Sequence, residues 1–316
     1  MTSHVQTEEV QFLTKRSTMV RDKVGFLGGA TPLAWTDFFE AFIDGLRDND
    51  LHDGVEIDIK PKWAQGRKGN CNGHAQGLVA SCKVIVTAGT VPLLAAVTAR
   101  KHAGSTIPIV VASAGYPGDV SDLGSNVTGF LNGQATFADK RLGQFRKYVT
   151  ASRLGRMAIL ANSAADNATA ERDKVKAAAD AVSLPYYEVN VDEPSGDSVV
   201  DKLIAVPSEV KSLYVCTDPF ITTDLIQINT LASSKQWPTM YQFRDHVVTG
   251  GLMSYGPNFA EMFRNVGGLV KLALDAQTLP PLIPVAEAQL KLVFNRTTAK
   301  AVGVSIPGSG PDEFID

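Results

Sequence analysis

Much of what usually betrays a protein's chemistry is missing from this sequence. Its 316 residues hold three cysteines, Cys71, Cys82 and Cys216. None has C-x-x-C spacing, so neither a zinc site nor a disulfide framework is indicated. An oxidising compartment would permit one pairing, Cys71 with Cys82. The five histidines (His4, His52, His74, His102 and His246) fall at no ligand spacing, which argues against a metal. No apolar run reaches the roughly 18 residues of a membrane span. Basic residues are not in excess, 30 against 33 acidic, so no nucleic-acid partner is expected. G-x-S-x-G, G-x-x-x-x-G-K-[ST], H-E-x-x-H and G-x-G-x-x-G are all lacking, which moves the balance from catalysis to binding. Gly28–Gly29 resembles a dinucleotide loop only superficially, because Pro32 and Trp35 stand where a pyrophosphate needs close backbone. No catalytic residue and no cofactor is therefore expected.

No export signal is read in the sequence as written, so the expectation is that the chain works in the cytoplasm or that its leader was removed or lost. Residues 1–21 never carry more than two apolar side chains in succession, whereas a secretory signal needs about 7–15. They read as a loosely held tail or short helix, and a cytoplasmic location stays open on this ground.

What is present is ordinary globular material, 44% hydrophobic and 20% charged, enough for two domains. From Lys23 the pattern is strand, turn, helix, repeated. Val24–Leu27, Glu56–Lys60, Lys83–Thr87 and Ile107–Ala112 read as strands, with an amphipathic helix over Trp35–Leu46. A second series follows with strands at Arg156–Asn162, Tyr186–Val191, Leu213–Thr217 and Met240–Phe243. Its helices are expected over Ala168–Val182, Ser198–Ala205 and Thr223–Lys235. Intervals of about 25–30 residues match βαβ units and parallel sheets. After Val248 the alternation breaks into a glycine-flanked strand, a long helix over Phe259–Asp275, and a final strand and helix. The chain therefore returns towards its first lobe. The expected division is a tail at 1–21, lobe 1 at 22–129 plus 250–279, and lobe 2 at 130–249 plus 280–316.

In open α/β sheets ligands meet the loops at the carboxyl ends of strands. Those loops here are Gly28–Trp35, Ala88–Leu93, Ser113–Val120, Asn162–Ala168, Asp218–Thr223 and Tyr241–His246. They are rich in small polar residues, whose hydroxyls and backbone N–H groups suit a small anion.

Along nearly the whole chain, Val24 to Pro307, the stretches VGFLGGATPLAWTDFFEAFIDGL, WAQGR, VIVTAGT, STIPIVVAS, NVTGF, RLGRMAILAN, TDPFITT, YQFRDHVVTGGLMSYGP and LVFNRTTAKAVGVSIP resemble one family. It is that of ABC transporter substrate-binding proteins, in the group with tryptophan- and tyrosine-binding members. The resemblance implies an α/β fold of type I periplasmic-binding-protein architecture, with two Rossmann-like lobes, three hinge crossings and closure on a small solute. It further implies a permease partner, an extracytoplasmic location and a monomer. KGNCNGH replaces the usual helix start between Arg67 and Gln76, and the proline that usually follows Asn162 is not there.

Against that frame each candidate carries two readings. Asp218 can meet a ligand amine or simply cap a helix. Thr90, with Gly89, can hold a carboxylate or serve as an N-cap. Ala114 and Gly115 can offer backbone groups or form a plain turn. Asn162 and Asn167 can clamp a polar group or occupy turns. Gly29 and Ala30 can form the opposite wall or merely a tight turn. Trp35, Phe220 and Tyr241 can stack on an aromatic ligand or belong to the core. Arg244, Asp245 and His246 read as hinge bonding and capping rather than acid–base chemistry. The expected function is capture of an amino acid or aromatic acid for a permease. The alternative is a cytoplasmic sensor that uses the same clamshell to regulate a partner protein.

Overall fold

Runs of β-branched residues without polar alternation demand cover on both faces, and two such sheets form. The computed structural model describes residues 20–192, 195–284, 289–306 and 308–316. The expected tail lies almost wholly outside them. The first sheet contains Asp22–Gly28 (β1), Ile57–Trp63 (β2), Val84–Ala88 (β3), Ile109–Ala114 (β4) and Val127–Leu131 (β5). The second contains Arg156–Asn162 (β6), Tyr186–Val191 (β7), Val210–Val215 (β8), Thr239–Tyr241 (β9) and Met253–Pro257 (β10). Ile283–Pro284 (β11) returns to the first sheet, and Leu290–Asn295 (β12) and Glu313–Ile315 (β13) finish the second.

The strand orders are β11-β5-β4-β3-β1-β2 and β13-β12-β10-β9-β8-β6-β7. Among the described residues, every pairing between these strands is parallel except β10 with β12. β3 and β4 are buried at every position, as their apolar runs require. Each sheet has a separate apolar core on each face.

Among the described residues the chain passes between the sheets three times: after Leu131, after Pro257 and after Pro284. The Gly250–Pro257 stretch was expected in lobe 1, yet β10 pairs with β9 and β12 of the second sheet. The second exchange therefore falls after Pro257, and Phe130, Leu131 and β11, expected in lobe 2, join the first sheet. Beyond Pro257 the Phe259–Leu274 helix does lie on lobe 1, against the Thr36–Arg47 helix. Glycines allow that close crossing, since a Cβ at Gly45 would strike the Arg264 carbonyl and one at Gly267 the Gly45 carbonyl.

The KGNCNGH stretch is helical all the same, within Lys68–Ser81, burying Cys71, Ala75, Leu78 and Val79. Cys71 and Cys82 stand eleven residues apart along it, about 16 Å of helical rise, beyond the roughly 7 Å between α-carbons that a disulfide spans. The pairing considered from sequence is not formed.

Candidate functional site

The carboxyl ends of both sheets face each other across a narrow cleft. At its centre is a cavity of about 30 Å³, lined from both lobes. One wall is aromatic: Trp35, Phe38, Phe243, Phe259 and Phe263. These rings pack on one another, with Phe38 stacked on Phe263 at 5.2 Å and Trp35 edge-on to Phe263 at 6.2 Å. The facing wall is polar: Thr90, Ser113, Asn132, Gln134, Asn167, Thr217 and Asp218.

The hydroxyls there are placed by the loops that carry them. Thr90 opens the Thr90–His102 helix behind Gly89, whose φ of 104° only glycine adopts easily. Its Oγ1 accepts from the Gly115 N–H at 3.0 Å, tying the loops after β3 and β4 together. The Thr90 O–H remains able to donate. Ser113 Oγ accepts from Asn132 Nδ2 at 3.0 Å and likewise keeps its proton. Thr217 Oγ1 is buried without a protein partner, as is Trp35 Nε1.

Asp218 caps the short Pro219–Thr223 helix, accepting from the Phe220 and Ile221 N–H groups at 2.9 and 3.4 Å and from Asn162 Nδ2 at 3.2 Å. It is 2% exposed and, among the described residues lining the cavity, is the one with an ionisable side chain. No nucleophile–base pair stands in that lining. The geometry can hold an amphipathic molecule.

Behind the polar wall runs a buried network. Arg141 Nη1 meets Glu171 Oε1 at 2.7 Å, the two side chains being 1% and 0% exposed. The Tyr214 hydroxyl, held well above its ordinary pKa by burial, accepts from Arg141 and donates to Glu171. Glu171 Oε2 accepts from Gln134 Nε2 at 2.9 Å and from the Thr217 N–H at 2.8 Å. Asn167 Nδ2 donates to Gln134 Oε1 and to the Thr217 carbonyl. The wall is thus pinned from behind by a satisfied ion pair.

Of the residues singled out from sequence, Trp35, Gly89, Thr90, Gly115, Asn167 and Asp218 meet at this cavity. Gly29 and Asn162 line a smaller recess on the other side of Asp218 and Pro219. Four others are elsewhere. Ala30 is in the lobe 1 core, and Ala114 is buried among lobe 1 core residues, its carbonyl bound to the Asn132 N–H. Phe220 packs in the lobe 2 core with Arg67 over its ring at 5.7 Å. Tyr241 is fully buried, its hydroxyl donating to Asn229 Oδ1 at 2.6 Å. The Gly115 N–H is not on offer to a ligand, since Thr90 already takes it.

Sequence reading missed Phe38, Phe259 and Phe263, whose helical spacing signals only a buried face, and Phe243, Ser113 and Thr217. It also missed Asn132 and Gln134, which directly follow β5 inside a stretch that carried no strand assignment. Arg244 forks onto Glu313 of β13, and Asp245 and His246 lie in the short Arg244–Val248 helix.

A family model described as ABC transporter substrate binding protein matches residues 34–309. The chain belongs to that family. No curated protein matches its sequence. Among solved structures, this substrate-binding protein is similar to an ABC domain in complex with L-Trp from Streptococcus pneumonia, at 20% identity and a TM-score of 0.81, covering 94% of this chain and 100% of that one. A conserved domain protein from Vibrio cholerae O1 biovar El Tor gives 19% identity, a TM-score of 0.81 and the same coverage. An ABC transporter solute binding protein from Bacillus halodurans with bound myo-inositol gives 11% identity and a TM-score of 0.58, covering 90% and 98%. These likenesses establish the fold, the type I periplasmic-binding-protein architecture expected from sequence. The family works outside the cytoplasm with a permease, and no helix among the described residues is long and apolar enough to cross a membrane.

Proposed function

We propose that this substrate-binding protein captures an amino acid with an aromatic or large apolar side chain and presents it to an ABC permease. The observation that carries this is the division of the cavity into an aromatic wall and a hydroxyl-bearing wall next to one carboxylate. The side chain of such a solute lies against Trp35, Phe38, Phe243, Phe259 and Phe263. Its carboxylate meets the hydroxyls of Thr90, Ser113 and Thr217, and its amine meets Asp218. The L-Trp complex of the pneumococcal neighbour supports the solute class, and the myo-inositol complex of another marks the rival class. A cavity of 30 Å³ holds about one water, so the solute enters while the lobes are apart. Two lobes joined by three crossings supply the required open and closed states, and the chain acts as a monomer outside the cytoplasm.

The test is a thermal-shift and calorimetric panel of L-Trp, L-Tyr, L-Phe, aliphatic amino acids and myo-inositol. A ligand at a hundredfold excess over its Kd raises stability by about 2.7 kcal/mol. A rise confined to large apolar amino acids, with ligand recovered unchanged and affinity lost in Asp218→Ala, is the expected result. A rise with myo-inositol alone, or chemical conversion of the bound molecule, sinks the proposal.

A further inference from the structure

The loops after β1 and β2 are laced together through their backbones. Ala64 donates to the Gly28 carbonyl at 2.9 Å, Gln65 to Ala30 at 3.2 Å and Gly66 to Gly29 at 2.7 Å. Gly29 in turn donates to the Ala88 carbonyl of β3 at 3.1 Å. Three glycines, Gly29, Gly66 and Gly89, thereby present bare backbone to lobe 2.

What fills that recess is the start of the Pro219–Thr223 helix. A Cβ at Gly29 would lie 2.8 Å from Pro219 Cγ, and one at Gly66 would lie 2.7 Å from Phe220 Cα. One at Gly89 would come 3.6 Å from Pro219 Cγ. Asp218, the cap of this helix, precedes Pro219 directly, so wherever Pro219 seats, the carboxylate over the cavity follows.

We infer that Gly29 and Gly66 are positioning residues for solute capture, forming a backbone socket that admits Pro219 and Phe220 on closure and so sets where Asp218 stands. This rests on the solute-capture reading above. Neither glycine need touch the solute. Gly66 and Gly89 have φ of 75° and 104°, so any side chain there is strained in every state of the protein. Gly29 is not among the residues of positive φ, which makes Gly29→Ala the informative change: beside a 3.3 Å approach to the Ala88 carbonyl of its own lobe, which open and shut states share, its added methyl meets Pro219 only when the lobes are shut.

The experiment is a double-mutant cycle on the full chain, with wild type, Gly29→Ala, Pro219→Gly and the double variant, using L-tryptophan as probe; glycine removes both Pro219 Cγ and Cβ, which would lie 2.8 and 3.1 Å from the new methyl. Affinity is measured by calorimetry, and ligand-induced compaction by the change in radius of gyration in small-angle scattering. Circular dichroism of the ligand-free variants controls for folding. The expected result is at least a tenfold loss of affinity and loss of compaction in Gly29→Ala, with the ligand-free protein still folded. In the Pro219→Gly background the same substitution costs less than threefold. An equal penalty in both backgrounds, or no penalty at all, overturns the socket while the capture reading stands. Wild type that binds neither L-tryptophan nor the other amino acids of the panel overturns the capture reading, and this inference with it.

Discussion

Asn132 and Gln134 are two residues apart, yet they are fixed to different lobes. Asn132 bonds to lobe 1 through its N–H to the Ala114 carbonyl and its Nδ2 to Ser113 Oγ. Gln134 bonds to lobe 2 through Glu171 at 2.9 Å and the Thr217 carbonyl at 2.6 Å. Gln242 of lobe 2 reaches over to the Asn132 carbonyl at 3.1 Å. The first crossing therefore changes allegiance at Gly133, whose φ is 62°.

A β-branched side chain at that position pays the left-handed penalty of roughly 1–2 kcal/mol, while asparagine tolerates the conformation. Urea denaturation of Gly133→Val is expected to show a loss of that order, and Gly133→Asn a smaller one. Equal losses would place the cause in side-chain volume rather than backbone.

The Arg141–Glu171 pair is buried and its acceptors are satisfied. Removing one partner strands a charge in a medium that cannot solvate it. Arg141→Leu is expected to cost on the order of 3–5 kcal/mol in denaturant unfolding. The double variant Arg141→Leu/Glu171→Met recovers much of that, because no lone charge remains. A double variant as unstable as the single one would assign the loss to packing and to the Gln134, Tyr214 and Thr217 donors that Glu171 satisfies, not to the lone charge.

Thr217 Oγ1 has no partner in the protein, although its backbone is tightly held. Thr217→Val keeps the shape and deletes that oxygen. Its ligand-free melting temperature is expected to stay level or rise. Affinity for L-tryptophan falls by the roughly 0.5–1.5 kcal/mol of one hydrogen bond. Unchanged affinity in calorimetry would remove Thr217 from the carboxylate's contacts.

His246 is buried against the rings of Tyr241 and Phe243, its two ring nitrogens without partners. Burial pushes its pKa down to about 3. Below its unfolded pKa near 6.5 the unfolded chain binds a proton that the native chain refuses. Stability is therefore lost as pH falls from about 6.5 towards 3, by on the order of 2 kcal/mol at pH 5 relative to pH 8. Neighbouring Asp245 works in the opposite sense. Burial raises its pKa to about 6, so its contribution declines as pH rises through about 4 to 6. Melting curves between pH 4 and 8 are expected to flatten on the acid side in His246→Phe; an unaltered acid limb would point to other groups.

Most of the α/β alternation was legible because it is written locally. The strands Arg156–Asn162 and Tyr186–Val191 occur as read, the first on a nearly continuous apolar run and the second on tyrosine and valine alternating with Glu188 and Asn190. The loops that carry Thr90, Asn167 and Asp218 were legible for the same reason: strand ends in a parallel sheet point at the ligand side. β5 was not legible as a strand. Its VTGFL segment is short and interrupted by Gly129, whose φ of 117° brings it against the Val111 backbone of β4.

The aromatics show where local reading stops. Tyr241 and Phe243 are two residues apart, yet the first is sealed in the lobe 2 core and the second walls the cavity. Gly29 and Ala30 adjoin, yet the first faces Pro219 from the other lobe and the second is core. By itself the sequence determined the repeated strand–helix units, the loops available to a ligand and the family, all properties of contiguous residues. Only the tertiary structure decided that β10 belongs to the second sheet, which phenylalanines face the cavity and which glycines receive Pro219 and Phe220. Those outcomes depend on pairing between segments as distant as Phe38 and Phe263, and burial of a side chain is a property of the pair, not of either segment alone.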